Sequence, residues 1–212
     1  MSKLIFTHAV MNSGKSLSLL QVNHNYTSDG KNTVLFSHKI DNRYGENVIA
    51  SRLGMQAPCI AISNEDNLYD IIIKEKEKKG SLACVLADEI QFYTPEQIWQ
   101  LANIVDDLNI PVMCYGLKNN FKGELFNESV QTLLALADSI RELKQVCHCG
   151  KKATMILRYD EHGNVTKSGE SIVVGSESMY RSVCRIHWKE GDLGNKIKMH
   201  LAENIQHLIN KK

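Results

Sequence analysis

An excess of charge of one sign is missing from this chain: 25 Lys and Arg stand against 24 Asp and Glu, a formal +1 over 212 residues. So balanced a surface carries no field that would hold a phosphate backbone or an anionic membrane non-specifically, and neither is expected as a partner. Long hydrophobic runs are missing too. The apolar stretches are strand-sized, well short of the roughly 20 residues of a membrane span, and the N-terminus shows no charged, apolar and small-residue leader. A cytoplasmic location is expected, where disulfides are disfavoured. The six cysteines are too few for a disulfide scaffold and occur in two settings. Cys59, Cys84 and Cys114 lie in apolar runs and read as inert core thiols, whereas Cys147, Cys149 and Cys184 sit among Gly, Lys, Ser and His. With 43% hydrophobic and 23% charged residues, the chain can bury one good core and a small satellite module.

What is present is organised around Ala9, Val10, Met11, Asn12, Ser13, Gly14, Lys15 and Ser16, between apolar Leu4-Ile5-Phe6 and helical-looking Leu17-Ser18-Leu19-Leu20. A phosphate-binding P-loop needs Gly-x-x-x-x-Gly-Lys-Ser/Thr, so that backbone N–H groups curl round a phosphate, Lys reaches its outer oxygens and the hydroxyl ligates Mg²⁺. Gly14, Lys15 and Ser16 comply. Position 9 holds Ala, so the turn there must be one that a small Cβ tolerates. An ordinary turn before a helix is the alternative, and other elements have to decide.

Strand and helix patterns alternate along the next 130 residues or so, which predicts an α/β fold with a doubly wound parallel sheet. Strands are expected over 3–10, 33–36, 58–62, 82–89, 110–115 and 139–146, and helices over 14–29, 64–79, 95–108 and 126–137. The run 74–79 of mixed charge reads as a solvated face. In an open α/β sheet, strand ends face the ligand crevice, which makes the polar stretch with Asp41 and Arg43 a site candidate, a solvated loop being the alternative. The strand 82–89 is continuously apolar and ends in Asp88 and Glu89. Together with an upstream P-loop this resembles a Walker B strand, with Asp88 on the metal side and Glu89 a candidate base. Phe121 and Phe126 sit in another strand-end loop, where they either stack on a flat base or pin the loop to the core.

Composition changes at Cys147-His148-Cys149-Gly150. From there to His187 the chain is rich in Gly and Ser, has short β-like runs (153–159, 171–175) and lacks helical periodicity, as in a small β module. Cys147 and Cys149, with Cys184 and His187 as Cys-x-x-His, supply a Cys₃His set suited to tetrahedral structural Zn²⁺, with His148 as a competing ligand. Some 40 residues bury too little to fold alone, so a metal tying the two ends together stabilises the module. Residues 197, 201, 205 and 208 of the tail are apolar at helical spacing. The expected division is 1–146 for the α/β domain, 147–190 for the zinc module and 191–212 for a helical tail.

Taken together, these motifs resemble the type II (cellular and bacterial) thymidine kinase family over nearly the whole chain. The resemblance is carried by 11–16, Asp41-Asn42-Arg43-Tyr44, Asp88-Glu89-Ile90-Gln91-Phe92, Tyr115-Gly116-Leu117, 121–126, the two zinc pairs and Tyr180-Arg181-Ser182-Val183-Cys184-Arg185. It implies transfer of the ATP γ-phosphoryl group to the 5′-hydroxyl of thymidine. ATP contacts are implied along Ala9 to Ser16 and at Asp88, Glu89, Ile90 and Gln91, with Mg²⁺ at Ser16 and Asp88. Glu89 is implied as the proton acceptor, and Lys15 and Arg43 as clamps on the transferring phosphate. The implied thymine pocket comprises Met11, Gln91, Phe92, Leu117, Phe121 and Tyr180, with backbone groups of Ile172, Val173, Val174 and Gly175. The zinc-anchored segment is implied to be a lasso lid over the nucleoside, and the assembly a homotetramer inhibited by thymidine triphosphate (dTTP). A P-loop ATPase whose zinc ribbon binds nucleic acid shares several of these features, but the lid segment lacks a dense basic and aromatic stripe. A zinc-ribbon interaction protein without catalysis is opposed by the intact Lys15, Ser16, Asp88 and Glu89.

Overall fold

The computed structural model describes residues 1–41, 45, 47–169, 180–195 and 197. The chain forms two compact units, the first from Met1–Ala9, Gly14–Lys118 and Leu125–Leu143, the second from Val10–Ser13, Asn119–Glu124 and Lys144–Lys212. In chain order the first unit contains β1 (Leu4–His8), α1 (Lys15–Ser28), β2 (Thr33–His38), β3 (Val48–Ala50), β4 (Gln56–Pro58), β5 (Ile60–Ile62) and α2 (Leu68–Lys79). It continues with β6 (Cys84–Ala87), a 3-10 turn (Ile90–Phe92), α3 (Pro95–Leu108), β7 (Val112–Gly116), α4 (Glu128–Leu136) and β8 (Ser139–Glu142). The second unit contains β9 (Met155–Tyr159), β10 (Val165–Thr166), β11 (Tyr180–Val183) and α5 (Arg185–Glu190).

Six strands of the first unit pair in the order β5-β2-β6-β7-β1-β8, every pair parallel. The expected parallel α/β core is therefore the observed one. Every residue of β1, β2 and β6 is buried, as befits strands covered on both faces. Side chains alternate between those faces. Val34, Phe36, Val85, Ala87, Val112 and Cys114 pack with apolar residues of α2, α3 and α4, while Leu35, Cys84, Leu86 and Tyr115 pack with Leu19 and Leu20 of α1. Local chemistry sets the helix starts. Thr94 and Gln97 make a reciprocal capping box with Pro95 at the first helical position, and Asn67 and Asn127 cap α2 and α4.

Several boundaries differ from the sequence expectation, each for a structural reason. Strand β8 stops at Glu142 rather than 146 because its partner β1 ends at His8, which faces Glu142. Strand β6 stops at Ala87 because Glu89 turns out of the sheet in the left-handed region, at φ 49°. The antiparallel hairpin β3–β4 was not anticipated; its strands are three residues each, too short for a periodic signal. The zinc segment, expected to lack helix, contains α5, whose six residues are also too few for a period to show. The expected strand at 171–175 and, of the tail, residues 196 and 198–212 lie outside the described residues.

Candidate active site and metal centre

Leaving β1, the chain passes through the 9–16 loop into α1. Ala9 is buried, its N–H donates to the Gly116 carbonyl at 3.2 Å, and it is absent from the residues with positive φ. Glycine's conformational freedom is not needed there, so the departure from the P-loop pattern is accommodated. That freedom is used at Gly14, which caps α1 at φ 82°, and Asn12, a residue type that tolerates the left-handed region, sits at φ 60°. Ser13 donates its hydroxyl to the Val10 carbonyl at 2.5 Å. Lys15 opens α1 at only 8% exposure. A buried ammonium at a helix N-terminus places two sources of positive potential at one spot.

Ser16, one residue on, donates its hydroxyl to Asp88 Oδ2 at 2.8 Å, joining the start of α1 to the end of β6. Asp88 is 3% exposed. Desolvation, then the neighbouring Glu89 charge, push its carboxyl above the ordinary value of 3.8, to about 7, against the Ser16 hydroxyl, the Glu89 N–H and Lys15. The Ser16 hydroxyl and the Asp88 carboxyl are oxygen donors of the kind a hard divalent cation takes. Glu89 follows in a backbone conformation that costs a non-glycine residue on the order of 1 kcal/mol or more, strain of the kind found at functional sites.

Gln91 is 1% exposed, and both ends of its side-chain amide are engaged. Its Oε1 accepts from the Leu117 N–H at 2.9 Å, which fixes the amide so that Nε2 donates to Glu89 Oε2 at 2.5 Å; its carbonyl accepts from Asn127 Nδ2 at 2.8 Å. Ile90 and Leu117 are buried, and Phe92 packs edge-on against Phe126 at 6.5 Å between centroids. Gly116 and Asn127 were missed as site residues. Asn127 is legible as a helix cap, but nothing in the sequence indicates that its second polar atom reaches Gln91.

In the second unit, the Met11 carbonyl accepts from the Ser182 hydroxyl at 2.8 Å and that of Asn12 from Gln145 Nε2 at 2.6 Å. Phe121 is 2% exposed, lies 6.5 Å from the Tyr180 ring and carries the Arg158 guanidinium 5.3 Å from its centroid. Its carbonyl accepts from Trp188 Nε1 at 3.0 Å. Its burial fits the reading in which this phenylalanine pins its loop.

Cys147 and Cys149 flank a tight turn closed by Cys147 N–H to Lys151 O at 2.7 Å and Gly150 N–H to Cys147 O at 2.9 Å. Strand β11, antiparallel to β9, delivers Cys184 to the start of α5, one turn before His187. The four donor atoms all lie within 4.8 Å of one another. His187 Nδ1 is 3.3 Å from Cys147 Sγ and 3.6 Å from Cys184 Sγ, and Cys149 Sγ is 3.9 Å from Cys184 Sγ. Tetrahedral zinc with its usual bond lengths requires about 3.5 Å between sulfur and nitrogen and about 3.8 Å between sulfurs, so the donor set and spacing fit the ion. The backbone N–H of His187 holds the Cys184 thiol below its ordinary value despite desolvation, with Cys149 and Cys147 adding to the effect. The other cysteines are different: burial pushes Cys59 up to about 11 and Cys84 up to about 12, and Cys114 higher still, as inert thiols require.

Arg43 and Ile172, Val173, Val174 and Gly175 lie outside the described residues. No helix among the described residues is long and apolar enough to cross a membrane.

The profile of the thymidine kinase family matches residues 2–188. A thymidine kinase of Rhodopirellula baltica is 45% identical over 190 residues, covering 90% of this chain and 89% of that protein. One from Legionella pneumophila is 46% identical over 92% of each chain, and one from Zymomonas mobilis 48% identical over 90% of this chain and 97% of its own. The chain belongs to the thymidine kinase family.

Proposed function

We propose that this protein transfers the γ-phosphoryl group of ATP to the 5′-hydroxyl of thymidine, giving thymidine monophosphate and ADP. The observation that carries this reading is the 2.8 Å bond from Ser16 to Asp88, which brings the Lys15–Ser16 helix start together with the Asp88–Glu89 strand end. Phosphoryl transfer demands positioning and charge neutralisation more than covalent work by the protein. Loop amides at 9–16 and Lys15 hold the β and γ phosphates, with Arg43 a further clamp. Ser16 and Asp88 are the residues to hold Mg²⁺, which when bound neutralises charge developing on the phosphate oxygens. The 5′-oxygen attacks the γ-phosphorus, the bond to the β–γ bridging oxygen breaks, and Glu89 takes the hydroxyl proton. Gln91, fixed by Leu117, keeps one Glu89 oxygen in place.

The thymine contacts are proposed at Met11, Gln91, Phe92, Leu117, Phe121, Tyr180 and 172–175, as the family resemblance implies. Zinc in the Cys₃His cluster anchors the 147–190 segment as a lid, whose closure excludes water from the transfer. A cytoplasmic homotetramer inhibited by dTTP completes the proposal, on the strength of the family resemblance; sedimentation and inhibition assays test it.

Purified protein with Mg-ATP and labelled thymidine is expected to make the monophosphate. Glu89→Gln should lower kcat about 10²- to 10⁴-fold, the range for losing a general base, while ATP binding stays within a few-fold. Thymidine-independent ATP hydrolysis stimulated by DNA would overturn the proposal.

A further inference from the structure

The Cys₃His cluster has a polar backing that none of the roles above uses. His148 stacks on His187 with ring centroids 4.2 Å apart and planes at 16°. Both rings face the same way: Nδ1 of His187 and of His148 lie 3.3 and 3.7 Å from Cys147 Sγ. Their opposite edges converge on a single atom, Asp192 Oδ2, at 3.2 Å from His148 Nε2 and 3.9 Å from His187 Nε2. The turn after α5 is shaped to hold that carboxylate. Gly191 ends the helix at φ 69°, the Asp192 N–H donates to the His187 carbonyl at 2.9 Å, and Asp192 Oδ1 accepts from the Gly194 N–H at 3.2 Å. Gly194, at φ 76°, lies so close to the imidazole that a Cβ there would stand 2.7 Å from His148 Cγ. Glycine is required at that position on both counts.

We propose that Asp192 is the positioning residue of the metal centre, one carboxylate oxygen serving both imidazoles. A carboxylate beside the two Nε2 atoms favours the tautomer protonated there, leaving Nδ1 of His187 bare toward Cys147 and Cys184. His148, hydrogen-bonded to the same oxygen and stacked face to face, sets the plane in which the His187 ring lies. The sequence offered His148 as a competitor for the fourth ligand position; here it is the plate against which the ligand is held. The inference rests on the zinc reading of the Cys₃His cluster.

Zinc affinity of the full-length protein, measured by competition with a chromophoric chelator, tests it. Asp192→Asn keeps an acceptor for the Gly194 N–H but sets an amide donor against the two Nε2 edges. Its zinc affinity is expected to fall about 10- to 100-fold, the usual cost of losing a carboxylate behind a histidine ligand, with far-UV circular dichroism of the zinc-saturated protein unchanged. In Co²⁺-substituted protein, the visible bands should shift in the variant. Affinity within twofold of the parent overturns the proposal, and so does a loss that only parallels misfolding. Nitrogen NMR of the unaltered protein is a second reading that needs no variant: His148 should be protonated at Nε2, and a neutral ring protonated at Nδ1 instead overturns the proposal. A parent protein without zinc would sink the metal reading itself, which is a different result from a zinc-loaded parent whose Asp192→Asn variant is unaffected.

Discussion

Asp88 shows how a site residue can work against the fold that holds it. Its folded-state pKa lies above the ordinary 3.8, at about 7, so the folded protein binds this proton more tightly than the unfolded chain. For an acid shifted in that direction, the contribution to stability falls as pH rises between those two values. The cost is largest above pH 7, where a bound cation would offset it. Asp88→Asn retains groups able to bond Ser16 and the Glu89 N–H without the buried charge. Without nucleotide or metal, the variant should melt about 2–4 °C above the parent at pH 8, as about 1 kcal/mol implies for a chain of this size. The gain should shrink as pH falls toward 4 in scanning fluorimetry, and thymidine phosphorylation should be lost. The positions were legible in advance: the lysine and the hydroxyl open α1 and the two acids follow β6, where their types and spacings put them. What was not legible is that Leu117 orients the Gln91 amide toward Glu89, because Leu117 lies on another segment.

At the scale of elements, two loops illustrate what a sequence reveals and what it hides. The start of α3 is written out locally in Thr94, Pro95 and Gln97, and the structure contains that capping box. Thr94→Ala should cost about 1 kcal/mol and lower the melting temperature by about 2–4 °C while kcat stays unchanged. The end of β7 carries no such signal. Gly116 has no positive φ to advertise it, yet a Cβ there would sit 2.6 Å from both Gln91 Oε1 and Ile90 Cγ2. Gly116→Ala must displace the amide that holds Glu89, so it should lose about 1–3 kcal/mol of stability, as overpacked cores do, and kcat as well. Steady-state kinetics beside thermal melts separate the two variants. The hairpin β3–β4 and helix α5 stayed hidden for a simpler reason, since each is shorter than the window in which a period can be counted.

The whole molecule divides its stability unequally. The first unit has a parallel sheet whose strands β1, β2 and β6 are buried on both faces, whereas the described strands of the second form a three-stranded antiparallel sheet beside a Cys₃His cluster. A metal bound between the 147–149 turn and the β11–α5 junction would close a long loop and add to the small set of buried residues there, among them Phe121, Ile156, Leu157 and Val183. Stripping the metal with a strong chelator should therefore open protease sites within 144–195 while the first unit stays protected, as mass spectrometry of the fragments would show. In the same sample Cys147, Cys149 and Cys184 should become open to alkylation, and Cys84 and Cys114, both fully buried, should stay unreactive.

The amino-acid sequence by itself determined the alternation of strands and helices, the helix caps and the kinds of atoms offered to phosphate and to metal. Those properties depend on residues within a few positions of one another. Only the tertiary structure decided that Ala9 needs no glycine turn, that Phe121 is buried, and that His187 rather than His148 completes the cluster with Asp192 behind both. Each of those outcomes depends on distances between segments tens of residues or more apart, and side-chain periodicity along a chain contains no information about such distances.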